Sequence, residues 1–189
     1  MGKTASFMDL VSERRSVRKY KDTPVSREDV RTCIEAARRA PSAHNIQPWR
    51  FIVIDDEETK KGLCAEACSG IYKNTRFIAH APVIVVLLAK LDLVVNRIAR
   101  AIQGTHYYLL DVGIAGEHLV LQARELGIGT CWIGWFNARR TRRYLGLPPN
   151  YRVVSLISMG YPAEGASSEK EDLPVDQILF FNMEAKGRL

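Results

Sequence analysis

The run Val83-Ile84-Val85-Val86-Leu87-Leu88 does most to limit what this chain can fold into. A strand with one wet face alternates apolar and polar side chains, so an unbroken apolar run of this kind belongs to a strand covered on both faces. Elements read off the rest of the sequence alternate between helix and strand. Ser26-Arg27-Glu28-Asp29 resembles a capping box and opens a helix whose Val30, Cys33, Ile34 and Ala37 fall at i, i+3, i+4 and i+7. That helix should stop at Ala40, because the residue before Pro41 is pushed out of the helical region.

Residues 50–54, 130–133 and 153–159 read as further strands, and 57–67 as a helix. The longest helix covers about residues 106–126, with Val112, Ala115, Leu119, Val120 and Ala123 on one face and Gly127 closing it as a C-cap. Gly113 and Gly116 fall inside it. A glycine there costs ~1 kcal/mol against alanine, so the pair points to the close approach of another helix. That helix belongs either to the same fold or to a second copy of the chain.

Length and composition suit one compact domain over 1–189, with 47% hydrophobic and 25% charged residues and no repeat or low-complexity stretch. Lys and Arg number 27 against 21 Asp and Glu, a balance of +6. These charges are spread over several helices without interleaved aromatics, which argues against a nucleic-acid surface. The densest run, Arg139-Arg140-Thr141-Arg142-Arg143, reads as the solvated face of a short helix.

The 4 cysteines do not form a disulfide framework. Cys33 and Cys131 fall in core positions, where thiols behave as small hydrophobes. Cys64 and Cys68 share a helix face and could hold half a metal site, but no second pair at ligand spacing completes it. No signal peptide and no bilayer-length apolar run is evident, so the expectation is no membrane and a reducing cytoplasm.

Two segments carry chemistry. Glu13-Arg14-Arg15-Ser16-Val17-Arg18 follows an apolar helical stretch (Phe7, Leu10, Val11) and places three guanidiniums and a hydroxyl close together. This suits bidentate phosphate binding, although a solvated charge run would look the same. In Pro41-Ser42-Ala43-His44-Asn45-Ile46-Gln47-Pro48-Trp49, two prolines bracket donors and acceptors on Ser42, Asn45 and Gln47. An ordinary helix-to-strand connection needs neither two amides nor two prolines. Gly134, directly after a strand, allows close backbone approach to a ligand or merely relieves crowding at the turn.

Taken in order, Arg14-Arg15-Ser16-Val17-Arg18, the Pro-Ser-x-x-Asn-x-Gln-Pro-Trp run at 41–49, Gly129-Thr130-Cys131-Trp132-Ile133-Gly134 and Met159-Gly160-Tyr161-Pro162-Ala163-Glu164 resemble the successive signatures of the nitroreductase family of FMN-dependent oxidoreductases. The resemblance implies an α+β sandwich: a mixed, mainly antiparallel central sheet flanked by helices, with a C-terminal extension (174–181) reaching a partner subunit. It implies a homodimer with FMN at the interface, NADH or NADPH as electron donor, and a small electron-poor acceptor such as a nitroaromatic or quinone. Related uses of such a site are dehalogenation, oxidation, or flavin binding without turnover.

Carried over position by position, the resemblance assigns Arg14, Arg15, Ser16 and Arg18 to the phosphate and ribityl end. Pro41, Ser42, Ala43 and Asn45 of the partner subunit, supported by Gln47, complete the site, and the backbone of Ile133 and Gly134 passes under the ring. No side chain is implied to be catalytic, since the chemistry belongs to FMN. Accordingly, His44, His80, His106 and His118 lack any Gly-x-Ser-x-Gly setting, and no Gly-x-Gly-x-x-Gly is present for a Rossmann nicotinamide site.

The chain departs from the family pattern in two places. After the Gly-Tyr-Pro motif the family often has a cationic pair, whereas Ser167-Ser168-Glu169-Lys170-Glu171-Asp172 offers Lys170 among three acids, with Asp172 at an arginine position. The lid segment is also short (89–108), with Asn96, Arg97, Arg100 and Tyr107 as rim candidates. Lys73, Asn74 and Arg76 are assigned either to the pyrimidine edge or to the surface.

Overall fold

The computed structural model describes residues 6–91, 106–167 and 170–181. Its centre is a four-stranded sheet of β1 (Trp49–Ile54), β2 (Val83–Lys90), β3 (Gly129–Ile133) and β4 (Tyr151–Gly160), in the order β1-β2-β4-β3. Every named pair is antiparallel. The parallel element is a single bridge, Ser16 to Thr130, on the open side of β3. The sheet is therefore mixed but mainly antiparallel.

As its composition requires, β2 is an interior strand, buried along its length except at Lys90. Its period of two splits it between two cores. Val83, Val85, Leu87 and Ala89 meet α2 (Arg27–Arg38) and α4 (Tyr107–Glu125). Ile84, Val86 and Leu88 meet α3 (Glu57–Ala67) and the 3-10 segment Gly70–His80. Helical layers thus cover both faces of the sheet.

Local signals hold at the helix ends. Ser26 caps α2 by accepting from the Asp29 N–H at 3.0 Å, but Asp29 accepts from the Ser26 hydroxyl (2.7 Å) and not from its backbone, so only half of the capping box forms. The complete box opens α1 (Phe7–Glu13), between Ser6 and Asp9. Gly127, at φ +74°, ends α4 with bonds from its own N–H to Arg124 (3.0 Å) and from the Ile128 N–H to Ala123 (2.8 Å). This is the paired closure that a left-handed glycine permits.

Gly116 corrects the expectation of a close helix. A Cβ built there would lie 2.2 Å from Trp132 Cη2 and 2.8 Å from Leu87 Cδ2, so the close neighbours are side chains rising from the sheet. A Cβ at Gly113 would meet nothing within 4 Å. Around Gly113, Leu110 and Ile114 are exposed.

α5 (Ala138–Tyr144) carries the arginine-rich run, with Arg139, Arg140 and Arg143 exposed and Thr141 turned inward. Among the described residues, no helix is long and apolar enough to cross a membrane. The rim candidates Asn96, Arg97 and Arg100 lie outside the described residues, while Tyr107 opens α4.

Candidate functional site

The arginine segment leaves α1 and lies along the outer edge of β3. The Val17 N–H donates to the Thr130 carbonyl at 2.9 Å and the Val17 side chain is buried, which fixes the residues on either side. Arg14 Nε lies 3.8 Å from a Glu117 carboxylate oxygen, and Glu117 also accepts from the Trp132 indole N–H at 3.3 Å. Arg15 donates to the carbonyl of Arg14 at 2.9 Å and Arg18 to that of Ser16 at 3.4 Å.

The Cys131 thiol lies beside them. Burial pushes its pKa up, opposed by the Arg18 charge, a Ser16 hydrogen bond and the Arg14 charge. Arg14, Ser16 and Arg18 thus all bear on the Cys131 thiol at the β3 edge. A cavity of about 200 Å³ beside them is lined among others by Arg14, Arg15, Thr130 and Ser167, but by neither Ser16 nor Arg18. Lys170 is present and exposed, but its ammonium is ion-paired with Asp172.

At the far end of β3, Ile133 is buried and Gly134 is exposed, with open space where a Cβ would stand. Four residues of extended chain from Thr130 place Gly134 about 13 Å away. A ligand touching both ends needs an anionic head and a group that lies against backbone. The Ile133 carbonyl is held by the buried Ser155 hydroxyl, which donates to it at 2.9 Å.

Ser155 follows a register shift in which Leu87 pairs with Ser155 and Leu88 with Val153. Bulges of this kind collect beside functional sites because they re-aim a side chain. Sequence reasoning missed Ser155, although a polar residue between Val154 and Leu156 was the available signal. Trp135, next to Gly134, is exposed; its indole donates to the Ile71 carbonyl (3.2 Å) and its ring tilts against Tyr72 at 5.2 Å.

The 41–47 loop is strained. His44, Asn45 and Gln47 have φ of 51°, 54° and 50°, in the left-handed region that non-glycine residues rarely occupy. Such residues cost ~1–3 kcal/mol each and persist only where their surroundings over-determine them. Here the Gln47 N–H donates to Ser42 Oγ at 2.9 Å, and Gln47 Nε2 donates to Asn45 Oδ1 at 2.9 Å. The Ala43 N–H donates to Asp111 Oδ1 at 3.0 Å.

Asp111, only 6% exposed, projects from the buried face of α4. It too was missed in the sequence, where a carboxylate one residue before the core position Val112 was the clue. These bonds tie Ser42, Ala43, Asn45 and Gln47 to one another and to α4, not to the arginine corner. Within one chain the polar rim and the anion corner are therefore separate pieces carried by the same helix.

Lys73, Asn74 and Arg76 lie exposed on the 3-10 segment Gly70–His80. Cys64 and Cys68 are both buried, and among the described residues no group of His, Cys, Asp and Glu is arranged to hold a metal ion.

Comparison with known proteins finds relatives over most of the chain. A protein named NADH dehydrogenase from Thermus thermophilus is 33% identical, over 89% of this chain and 92% of its own length. FMN reductase (NAD(P)H) of Bacillus subtilis is 30% identical, over 89% of this chain and 70% of its own length. The solved structure of an FMN-dependent nitroreductase from Clostridium difficile R20291 superposes with a TM-score of 0.75 at 30% identity, covering 93% of this chain and 99% of that one. Residues 11–161, from the end of α1 through the arginine corner, the strained loop and β3 to the close of the sheet, match the sequence model of the Nitroreductase family, and the chain belongs to that family.

Proposed function

We propose that this protein is an FMN-dependent, NAD(P)H-oxidising reductase of electron-poor acceptors such as nitroaromatics or quinones. The observation that carries the reading is the β3 edge: a cationic corner of Arg14, Ser16 and Arg18 at one end and open backbone at Gly134 at the other. That donor set fits a flavin mononucleotide, whose phosphate suits guanidinium forks and whose flat ring suits an edge without a Cβ. The names of the Bacillus and Clostridium relatives agree with it.

When bound, FMN would supply the redox chemistry, two-electron transfer between NAD(P)H and the acceptor. The chain's own groups bind and orient. Arg14 and Arg18 would neutralise the phosphate and Ser16 would add a hydroxyl, while Glu117 with Trp132 keeps Arg14 from swinging into solvent. Ser155 holds the Ile133 carbonyl in the strand, which leaves Gly134 as the accessible backbone.

The rim of Pro41, Ser42, Ala43 and Asn45, with Gln47 supporting it, is contributed by a second copy in a homodimer. The exposed apolar side chains Phe7, Met8 and Val11 on α1, Leu110 and Ile114 on α4, and Leu173, Ile178 and Phe181 on the C-terminal segment suit burial against that copy. Lys170 is the cation that residues 167–172 offer to the phosphate.

The test is an anaerobic titration of the purified protein. Flavin absorbance bleached by NADH or NADPH and restored by a nitroaromatic or quinone is the expected result. Bleaching only with dithionite would overturn turnover with NAD(P)H, and a protein that binds no flavin would overturn the reading altogether.

A further inference from the structure

A cavity of about 770 Å³ opens at the end of the sheet where β1 runs out into Asp55 and Pro82 leads into β2. None of its lining residues lines the smaller cavity beside Arg14 and Arg15. Of its lining, only Arg18 is shared with the proposed flavin site.

One wall is the segment 18–25, which is fixed at several points. The Lys21 N–H bonds to the Tyr161 carbonyl (2.9 Å), and the Ala163 N–H to the Lys19 carbonyl (3.1 Å). The Tyr20 hydroxyl donates to the Val17 carbonyl at 2.6 Å, with Ser158 Oγ 2.7 Å away. The backbone is thereby held in place while Lys19 and Lys21 stay exposed. A second wall is the start of α3, where Lys60 is only 3% exposed. Its ammonium donates to the Ala81 carbonyl at 3.0 Å and pairs with Glu57. A lysine is almost never buried this far unless it is paired. Among the described residues these partners use two of its three N–H groups, which leaves one for an occupant of the cavity.

The charges that border the cavity do not cancel. Asp55 is held by two bonds from Arg27, at 2.6 and 3.1 Å, and Glu57 is paired with Lys60. With those pairs and Arg18 set aside, Lys19 and Lys21 stand against Asp22, a surplus of 2 − 1 = 1 positive charge that Arg18 raises further. Pro24, Val25 and Pro82 add an apolar side. Cavities of roughly 300–1,000 Å³ with apolar walls and a few fixed polar groups are the kind that hold small organic molecules. A bare inorganic anion would fill little of this one.

We propose that this cavity is a second binding site, for an organic phosphate monoester of nucleotide size. The ammonium groups of Lys19, Lys21 and Lys60 take the phosphate oxygens, and the organic ring lies against Pro24, Val25 and Pro82. Lysine serves phosphate as a point charge with three donors. The site does not depend on the flavin reading, in which Lys19, Lys21 and Lys60 have no part.

The experiment is calorimetric titration of the protein with adenosine monophosphate (AMP) in the presence of excess FMN, with adenosine and succinate as controls. AMP should bind and adenosine should not, and the affinity should fall as salt rises. Lys19→Gln and Lys21→Gln, both at exposed positions, should each weaken AMP several-fold, and Asp22→Asn should tighten it. Lys60→Met should abolish binding; should that variant fail to fold, the two exposed lysines still decide. Three results would overturn the site: no binding of AMP, displacement of AMP by FMN, or an AMP affinity unchanged in the double variant Lys19→Gln/Lys21→Gln. Adenosine or succinate binding as tightly as AMP would overturn its assignment to a phosphate ester.

Discussion

Replacing Gly116 by alanine should destabilise the protein, although alanine is the better helix former. A Cβ at this position would lie 2.2 Å from Trp132 Cη2, 2.7 Å from Cζ2 and 2.8 Å from Leu87 Cδ2, none of them sustainable separations. Leu87 is fully buried and Trp132 is tethered through its indole N–H to Glu117, so neither side chain can simply swing aside. Overpacking of this kind costs ~1–3 kcal/mol, and the helix-propensity gain returns ~1 kcal/mol. Because neither neighbour can yield, this site falls in the upper part of that range, about 2–3 kcal/mol, so a net loss of about 1–2 kcal/mol remains, roughly 2–8 °C in Tm for a chain of this size.

Gly113→Ala, where nothing lies within 4 Å, is the control for propensity alone and should not lower the monomer's stability. The sharper test is Trp132→Phe, which removes the ring atoms that collide. Thermal unfolding of the single and double variants should show Gly116→Ala costing less in the Trp132→Phe background than in wild type. Because Trp132 steadies Glu117 and Glu117 steadies Arg14, Gly116→Ala should also loosen FMN. Strict additivity of the two substitutions, or a Tm of Gly116→Ala equal to wild type, would refute the packing argument.

Asp111→Leu should cost ~1–3 kcal/mol by leaving the Ala43 N–H without its acceptor, read in urea unfolding and as faster proteolysis within residues 42–47, whereas Asp111→Asn, which can still accept, should largely restore both. Stability should fall on acidification. The Glu35 carboxyl is held down at about 2 by Arg38 and Arg39, and those of Asp55 and Asp56 are lowered by Arg27 and by the Thr59 N–H. Groups with depressed pKa values stabilise above their unfolded values near 4 and lose that contribution as pH falls toward 2. All three are solvent-facing, so the effect should be small and weaker in salt, and a stability that rises as pH drops from 5 to 2.5 would contradict it.

What the sequence made legible was local. The β2 run announced an interior strand, the spacing of Val30, Cys33 and Ala37 announced the buried face of α2, and Gly127 announced the end of α4, because each signal is a property of a few neighbouring residues. The reason for Gly116 was not legible, since it depends on Trp132, which reaches α4 only once β3 has joined the sheet. The place of Ser167 beside Arg14 and Arg15 has the same origin, in the return of residues 161–166 along 18–21. The strain at His44, Asn45 and Gln47 has no sequence signature of its own, because none is glycine and the geometry is imposed by Ser42 and by Asp111 sixty-eight residues from Ala43.

The proposed dimer yields one more prediction, from the placing of two groups on α4. Asp111 pins the strained rim and Glu117 steadies the arginine corner; the two lie six residues, about 9 Å, apart along one helix. Their midpoint is Ile114, exposed beside the open Gly113. If two copies meet antiparallel along this face about a two-fold axis near Ile114, position 111 of one helix falls beside position 117 of the other. Each copy's rim is then brought toward the other's corner, and a two-fold contact builds both sites at once. Gly113 admits such an approach because no Cβ stands between the helices. All four native cysteines are buried, so a cysteine introduced at position 114 is the exposed thiol of the molecule. Ile114→Cys should cross-link to a covalent dimer under mild oxidation, because the axis sets the two thiols opposite each other. Cysteine at Val53, exposed on the far edge strand β1, should not. A protein that scatters light as a dimer while Ile114→Cys stays uncross-linked and Leu110→Glu leaves it dimeric would place the interface elsewhere and detach the rim from the corner.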